Sequence, residues 1–405
     1  MFFTQYGDYL YIYILIVSLV PAVILGCVGK NIKFYGFLLS VGMFLAIEGF
    51  KINEVTRQIF SGQIRQALKS PQLQLLLFLM FIIGEIILIK AYFEIRKKTD
   101  NKYLYFFVLF LSMMPLLIVK IAAVNKVTKT IGFVGLSYLN FRSIQIIIEI
   151  YDGTIKELNM WETLYFLIFF PTLSSGPVDR SRRFNEDIKR KIEGSVYINE
   201  YLLTGIIKIS KGMIYKFIIA AFISVLWMDK IPKEITVINS WNYMYAYSLY
   251  LFFDFAGYSS FAVGTAYILG VKVPENFNKP FISKDMKEFW TRWHISLSRW
   301  FGDYIFSRFV LNSMRKKRFK NRITASHVAQ IITMAIMGFW HGLEVFYVIY
   351  GFYQGIVLVL TDIYQRKSKF YKKHKKEKWF NYVQIFITFH VACFGLLIFS
   401  GYLFK

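Results

Sequence analysis

The chain lacks much of what a soluble protein requires. Charged residues make up only 18% of its 405 residues, whereas soluble domains usually contain about 25%. Its longest polar stretches, near 51–70, 178–196, 272–288 and 366–378, are each too short to bury a core of their own. Internal repeats and low-complexity linkers are also absent from the sequence. These absences argue against soluble domains and predict one membrane domain over residues 1–405.

The sequence is also poor in cysteine and lacks several catalytic signatures. Its two cysteines, Cys27 and Cys393, lie far apart in apolar stretches, so no disulfide framework is expected. No G-x-S-x-G segment is present, which argues against a serine nucleophile. The five histidines are scattered and none begins an H-E-x-x-H segment, which argues against a zinc protease and a di-iron oxygenase. We therefore expect no metal site.

Long apolar runs take the place of these features. Hydrophobic residues make up 56% of the chain, and its mean hydropathy is +0.43. Because backbone amides in hydrocarbon must be bonded within their own segment, such runs favour helices. Since a spanning helix needs roughly 20 apolar residues, the pattern predicts an all-α, polytopic integral membrane protein with about 10–12 transmembrane helices plus short or re-entrant ones. The predicted spans lie near residues 9–27, 34–48, 72–93, 103–121, 131–150, 161–175, 197–227, 240–270, 300–312, 323–342, 345–364 and 379–401.

Basic residues outnumber acidic residues by 49 to 25, which gives a net charge of +24. In membrane proteins Lys and Arg accumulate in cytoplasmic loops, so this charge needs no nucleic-acid partner. Basic residues are densest in two runs, 315–322 and 366–378. The apolar runs 323–341 and 345–364 between them suffice for one out-and-back hairpin. Both basic runs are therefore expected to face the cytoplasm.

The stretch 272–303 is too polar for a lipid-exposed span and too aromatic for an ordinary loop. Pro274 and Pro280 interrupt helix, and Ser283 is expected to cap a new one because its hydroxyl can accept from a free amide. From 284 to 300 apolar residues recur at helical spacing. The pattern predicts one continuous amphipathic or re-entrant helix that lines a cavity or lies at the membrane interface.

Two histidines lie in unusual surroundings. His294 lies within the predicted helix, in FWTRWHISLSRWF, and is expected beside Trp290 and Ser298 because residues four apart are neighbours on a helix. His341 lies in MGFWHGLE, after an apolar run. Ionisable residues at membrane depth are costly and indicate functional sites. Imidazole titrates near neutral pH, so one or two histidines suffice for general acid–base catalysis.

A carboxylate, Asp254, lies in the apolar stretch 250–270. An unpaired carboxylate at membrane depth is costly, so a partner is expected, with Arg292 or Arg299 as candidates. The small residues that follow Asp254 are interpreted as close helix packing. Broken helices and an intramembrane carboxylate are also typical of transporters, but no matching pair of broken segments appears in the two halves of the chain. A transporter and a non-catalytic lipid scaffold stay as alternatives to an enzyme.

Four segments follow one another in an order that is informative when they are taken together. They are FFPTLSSGPVDR, LYLFFDFAGYSSFAVGTAYILG, VPENFNKPFISKDMKEFWTRWHISLSRWFGDYIF and MGFWHGLEVFYVIYGFYQG. In this order they resemble the membrane-bound O-acyltransferase family, most strongly over about 170–355, which would be the catalytic core. The resemblance implies an all-helical ring around a central funnel. It also implies that His341 is the catalytic histidine and His294 a second essential histidine.

The resemblance extends to further residues and to a reaction. The other motif and channel residues are Asp254, Asn276, Trp290, Arg292, Trp293, Ser298 and Trp340. Within the family, the segments are most similar to members that attach D-alanine to (lipo)teichoic acid in the cell membrane of Gram-positive bacteria. The donor would be D-alanine held as a thioester on the phosphopantetheine of a small, acidic, cytoplasmic carrier protein, so the chain would need no cofactor of its own.

The acceptor and the remaining partners also follow from the resemblance alone. D-alanine would pass across the membrane to a hydroxyl of the teichoic acid or of a relay protein, with other membrane proteins of the D-alanylation system as partners. An alginate-type O-acetyltransferase that acts on an exopolysaccharide is the alternative within the family.

The basic run 315–322 is the predicted docking surface for the acidic carrier. Opposite charges steer association, and the preceding stretch 306–314 is apolar enough to receive an apolar patch of the carrier. The predicted docking residues are Val310, Leu311, Arg315, Lys316, Lys317 and Arg318.

Overall fold

The computed structural model describes most of the chain as helix. The described residues are 6, 9–48, 71–124, 135–174 and 176–404. Among them no β-strand is present, and a single isolated bridge joins Phe277 and Trp293. The predicted polar stretch 51–70 and the beginning of the span predicted near 131–150 lie outside the described residues.

The first compact unit comprises Met1–Gly212 and Tyr258–Pro274. Its helices are α1 (Tyr9–Cys27), α2 (Lys33–Glu48), α3 (Pro71–Arg96), α4 (Lys102–Val124), α5 (Leu136–Tyr151), α6 (Met160–Ile168), α7 (Ser181–Lys189) and the first part of α8 (Gly194–Lys230). A Cβ added to Gly264 would lie 2.6 Å from the carbonyl oxygen of Gly205. The close helix packing predicted for the small residues after Asp254 is therefore confirmed at Gly264.

The second compact unit comprises Met213–Gly257 and Glu275–Lys405. The helices not yet named are α9 (Val237–Ile268), α10 (Met286–Arg292), α11 (Ile295–Phe301), α12 (Ser307–Arg315), α13 (Arg322–His341), α14 (Val345–Lys367), α15 (Lys369–His374) and α16 (Lys378–Phe399). α9 contributes its residues up to Gly257 to this unit.

Seven helices of the described residues are long and apolar enough to cross a membrane. They lie in α1, α3, α4, α8, α13, α14 and α16. The span predicted near 161–175 corresponds to α6, which has only nine residues. At ~1.5 Å per residue α6 is too short to cross a bilayer. The span predicted near 300–312 lies in a helical stretch that continues from α11 through a π-helical segment, Gly302–Phe306, into α12. The structure thus confirms an all-α, polytopic membrane protein, and its described residues contain seven helices of full-span length and apolarity where 10–12 were predicted for the chain.

A buried arginine supports the break that follows α6. Nη1 of Arg142 donates to the carbonyl oxygens of Phe166 and Leu167 at 2.9 and 2.7 Å, and Nη2 donates to that of Thr172. The last carbonyl groups of a helix have no partner within it. Because Arg142 satisfies these groups inside the protein, the chain can leave the helix at Pro171 without exposing unpaired backbone.

The cap of α10 differs from the sequence prediction. The Ser283 hydroxyl donates to the carbonyl oxygen of Pro280 at 2.6 Å, so the prediction that it caps the helix is wrong. Asp285 is the N-cap, and its side chain accepts from the amide of Glu288 at 2.9 Å. Pro280 starts a short 3-10 turn, and the Ser283 hydroxyl is bonded within that turn. The N-cap of α10 therefore lies two residues later than predicted.

A buried carboxylate, Asp362 on α14, is shared by three basic groups from three helices. It pairs with Lys287 on α10, with Arg366 on α14 and, at 2.8 Å, with Nε2 of His327 on α13. A buried carboxylate is costly unless it is paired and hydrogen-bonded, and three partners satisfy this one. The cluster therefore holds α10, the helix that leads into His294, against α13 and α14.

Glycines allow α13 and α14 to pack in close contact. A Cβ on Gly351 would lie 2.6 Å from the carbonyl oxygen of Met334, and a Cβ on Gly355 would lie 2.8 Å from Cα of Ile331. Both obstacles are backbone atoms of α13, which cannot rotate away. Small residues of this kind permit close approach of membrane helices.

Gly351→Ala is expected to destabilise the protein because its Cβ would force these two helices apart. Overpacking typically costs about 1–3 kcal/mol. The control is Gly84→Ala on α3, where an added Cβ has no neighbour within 4 Å and alanine favours helix. The measurement is the melting temperature of each purified variant in detergent. A Gly351→Ala protein as stable as the Gly84→Ala protein would contradict the packing argument.

Candidate active site

The backbone at His294 is not helical. α10 ends at Arg292 and α11 begins at Ile295, and His294 between them has φ 44° and ψ 51°. The predicted continuous helix over 284–300, with His294 beside residues four positions away, is therefore wrong. The reason is tertiary. The Phe277–Trp293 bridge and a bond from the amide of Asn278 to the carbonyl of Arg292 at 2.9 Å pull this segment out of helix.

Asn276 holds the chain just after His294. Its backbone carbonyl accepts from the amide of Ile295 at 2.9 Å, and its Oδ1 accepts from the amide and the hydroxyl of Ser296 at 3.3 and 2.6 Å. Asn276 is fully buried. A left-handed conformation at a residue other than glycine costs about 1–3 kcal/mol and needs such surroundings to persist. Asn276 thereby fixes the conformation from which the His294 ring projects.

The His294 imidazole is buried among apolar groups. The Phe255 ring lies nearly perpendicular to it with centroids 4.7 Å apart, and its Nε2 has no hydrogen-bond partner among the described residues. Burial, with the charge of His341 as the second cause, lowers the pKa of His294 to about 3. His294 is thus neutral at physiological pH, with one ring nitrogen available to a substrate.

A second buried polar atom in this segment also lacks a partner in the part of the chain that the structure describes. It is Nδ2 of Asn276, on the residue that bonds the chain after His294. Buried polar atoms are nearly always bonded. Two unsatisfied buried nitrogens, Nδ2 of Asn276 and Nε2 of His294, indicate a site that polar substrate atoms complete.

His341 ends α13 inside a group of aromatic rings. The Phe399 ring meets it edge to face at 4.9 Å, the Trp340 ring lies 4.5 Å away, and the rings of Tyr347 and Tyr350 lie 6.1 and 6.2 Å away. These rings come from α13, α14 and α16, so three spanning helices position one imidazole. Their apolar surfaces limit the water around it.

The two predicted catalytic histidines lie in the same compact unit, and the charge of His341 lowers the pKa of His294. The structure thus brings them together although 47 positions separate them in the sequence. Their individual roles stay predictions. Among the described residues, no group of three or more His, Cys, Asp or Glu side chains could hold a metal ion.

The two tryptophans around His294 have packing partners. Nε1 of Trp290 donates to Oε1 of Gln354 on α14 at 3.2 Å. Trp293 stacks on Phe289 at 5.6 Å and meets the Phe277 ring edge to face at 5.2 Å. These contacts anchor α10 and the loop that follows it. A role for either tryptophan in a substrate channel stays a prediction.

The other motif residues lie close to the two histidines in the sequence. The Ser298 hydroxyl donates to the carbonyl oxygen of Trp293 at 3.3 Å, next to His294. Trp340 precedes His341 and packs against its ring. Arg292 pairs with Glu288 at 2.6 Å.

Asp254 has a partner that sequence reasoning missed. It pairs with Lys216 on α8, so the prediction of Arg292 or Arg299 as its partner is wrong. The signal for Lys216 was its place inside an apolar run, where a lone ammonium is as costly as a lone carboxylate. Ser296 was also missed, because no local pattern links it to Asn276.

The predicted docking residues lie at the end of α12 and in the loop that follows. Arg315, Lys316, Lys317 and Arg318 are all exposed. Leu311 is 56% exposed, whereas Val310 is buried against Ala325 and Ala329 of α13. Of the two apolar residues in the prediction, only Leu311 therefore lies at the surface.

Comparison with known proteins gives one family. The model of the MBOAT, membrane-bound O-acyltransferase family, matches residues 69–404. The chain is 40% identical over 408 residues to the teichoic acid D-alanyltransferase of Bacillus subtilis, covering 98% of each chain. It is 42% identical over 347 residues to that of Streptococcus thermophilus, covering 82% of this chain and 83% of the other. A "probable alginate O-acetylase" of Pseudomonas syringae is 31% identical over 270 residues, covering 66% of this chain and 49% of the other.

The lowered pKa of His294 has a consequence for stability. The unfolded chain binds a proton at this residue below about pH 6.5, but the folded chain does so only near pH 3. Stability should therefore be lost as the pH falls from about 6.5 towards 3, by up to about 1.4 kcal/mol per pH unit. His294→Asn removes the ionisable group and keeps a residue type that tolerates the left-handed backbone.

The measurement is the melting temperature of both proteins between pH 7 and pH 5. We expect the wild-type value to fall more than that of the variant. Parallel curves would contradict a buried, neutral His294.

Proposed function

Because the chain belongs to the membrane-bound O-acyltransferase family, it is a membrane O-acyltransferase, and we propose that it attaches D-alanine to teichoic acid. Relatives named for this activity align over most of the chain, and the alginate-type relative aligns over a smaller part. The observation that supports acyl transfer is the pair of histidines in one unit, and the extent of alignment with the teichoic acid D-alanyltransferases supports D-alanine as the group transferred. Acyl transfer from an activated donor requires one base and one group that polarises the carbonyl.

We further propose that the donor is a D-alanyl thioester on the phosphopantetheine of an acidic cytoplasmic carrier. The net charge of +24 and the exposed cations after α12 are complementary to such a partner. The arrangement along α13 supports transfer across the membrane. This helix runs from the basic loop to His341 over 20 residues, or roughly 30 Å.

In the proposed reaction an ester forms and a thiol is released. The acceptor hydroxyl loses its proton to His341 while its oxygen attacks the thioester carbonyl carbon. The carbon–oxygen bond forms, the carbon–sulfur bond breaks, and the departing sulfur takes the proton from His341. Holding the reactants in place and removing the proton are the main contributions that the protein must make, because a thioester is already activated.

The surroundings of the two histidines support this division of roles. A group with a pKa of about 3 is too weakly basic to take a proton efficiently near neutral pH. A neutral imidazole can instead donate a hydrogen bond to a carbonyl oxygen as negative charge develops there. We therefore assign this role to Nε2 of His294, in the tautomer that carries a proton on this atom, and we assign the base to His341.

His341→Ala is expected to lower the rate of D-alanyl transfer by about 10²–10⁴-fold, the usual contribution of a general base. Carrier binding should persist, because His341 lies at the end of α13 that is remote from the basic loop. The measurement is the transfer of labelled D-alanine from the loaded carrier to the teichoic acid of membranes in which this chain is the sole family member. His390→Ala on α16 is the matched control. Wild-type rates in folded His341→Ala protein would refute the assignment.

Charge reversal tests carrier docking at the loop after α12. Replacing Arg315, Lys316, Lys317 and Arg318 by Glu should weaken carrier binding at least tenfold at low salt. It should also remove most of the salt dependence, because exposed charges act through screened attraction. The control reverses an equal number of exposed lysines in the other basic run, namely Lys372, Lys373, Lys375 and Lys376.

The measurement is the dissociation constant of the carrier at two ionic strengths. Equal losses of affinity in both variants would point to a general effect of net charge. Unchanged affinity in the variant at 315–318 would mean that the carrier docks at a different surface.

A further inference from the structure

A carboxylate lies beside His341 at the turn between α13 and α14. A Cβ on Gly342 would overlap both Oε2 of Glu344 and the ring of Tyr347. The carboxylate therefore folds back over Gly342, in the space that any other residue at 342 would fill. The Tyr347 ring stacks on the His341 imidazole, with centroids 6.1 Å apart and planes 25° apart. Glu344, Tyr347 and His341 thus form one contiguous group.

The simplest structural role for Glu344 does not apply. Glu344 is the N-cap residue of α14, but its side chain accepts no capping hydrogen bond. Its backbone carbonyl takes the amides of Tyr347 and Val348 instead, at 3.0 and 3.4 Å. The cap therefore depends on the backbone of this residue and leaves the carboxylate unused.

Glu344 also differs from Asp254 and Asp362, the carboxylates of the second unit described above, in having no basic partner. Asp254 pairs with Lys216, and Asp362 pairs with Lys287. Among the described residues, no Lys, Arg or His side chain forms an ion pair with Glu344, and its side chain is exposed. It lies between two spanning segments, which end at His341 and resume at Val345. An accessible negative charge is therefore available next to the predicted catalytic base.

The proposed substrate carries the complementary charge. A D-alanyl thioester has a primary ammonium on the carbon next to the reacting carbonyl, and an acetyl or propionyl thioester has none. When the carbonyl reaches His341, the ammonium must enter an environment of aromatic rings. A cation in such surroundings is costly without a counter-charge. The face of a Tyr ring adds a further favourable interaction with an ammonium.

We propose that Glu344 binds the ammonium of the D-alanyl group and so makes the enzyme selective for aminoacyl over simple acyl thioesters. This inference rests on the proposed function and adds a specificity-determining residue to it. Asp254 is a less suitable candidate for binding the ammonium. It adjoins Phe255, which packs against His294, but Lys216 already neutralises its charge. Glu344 also keeps the nitrogen protonated, so that an electron-withdrawing group stays beside the carbonyl that is attacked.

The test compares two donors that differ only in the ammonium. The carrier is loaded with D-alanyl or with propionyl phosphopantetheine, and transfer of label to membranes is measured for wild type, Glu344→Gln and Glu344→Asp. The control is Glu234→Gln, which removes an exposed carboxylate before α9 in the same unit. We expect Glu344→Gln to lower D-alanyl kcat/KM at least tenfold while propionyl transfer is unchanged or faster. Glu344→Asp should restore part of the selectivity, and Glu234→Gln should match wild type.

The possible results separate selectivity from structure. An equal loss of both activities in Glu344→Gln would mean a structural role and overturn the inference, as would an unchanged ratio of the two. In both cases wild-type transfer of D-alanine would leave the proposed function intact. A wild-type protein that transfers neither group would refute the proposed function and this inference with it.

Discussion

The hydrogen bonds from Asn276 to the residues after His294 set the geometry on which the candidate site depends. Three bonds to Ile295 and Ser296 hold a left-handed residue between α10 and α11. Together with the Phe277–Trp293 bridge and the Asn278–Arg292 bond, they prevent α10 and α11 from joining into the continuous helix that the apolar spacing favours. In that helix the histidine would lie on a surface among tryptophans. In the structure it lies in a buried bend, where burial keeps the imidazole neutral.

Because His294 is neutral, the two histidines can have different chemical roles. Two equivalent imidazoles would share a proton and neither would have a defined role. Here burial separates them, since the His294 pKa is lowered and the positive charge of His341 contributes to that lowering. In the proposed reaction, a proton taken up by His341 would therefore disfavour a second proton on His294, which would stay a neutral hydrogen-bond donor.

Composition predicts the membrane class, and order of motifs predicts the two histidines, but neither predicts the geometry. Apolar runs locate helices because the bilayer leaves the backbone no other way to bond its amides. The break at His294 depends on Asn276, 18 positions earlier, and the partner of Asp254 is Lys216, 38 positions earlier. Such pairings are tertiary, and no periodicity in one segment encodes them. The cap at Asp285 was missed for a local reason. The Ser283 hydroxyl donates to the carbonyl oxygen of Pro280 in the preceding 3-10 turn, so Ser283 does not cap α10.

The hairpin of α13 and α14 imposes the final constraint. Its glycine contact and the ion pairs at Asp362 make it a rigid unit, with the basic loop at one end and His341 and Glu344 at the other. In the proposed reaction, a carrier bound at the loop could not follow its cargo along roughly 30 Å of helix, so the acyl group would travel on a flexible arm. A thioester that reached His341 in this way would be exposed to hydrolysis, and the aromatic rings around His341 would limit the water beside it. In the proposed selectivity, the exposed carboxylate of Glu344 at this end of the hairpin would attract a positively charged acyl group and not an uncharged one.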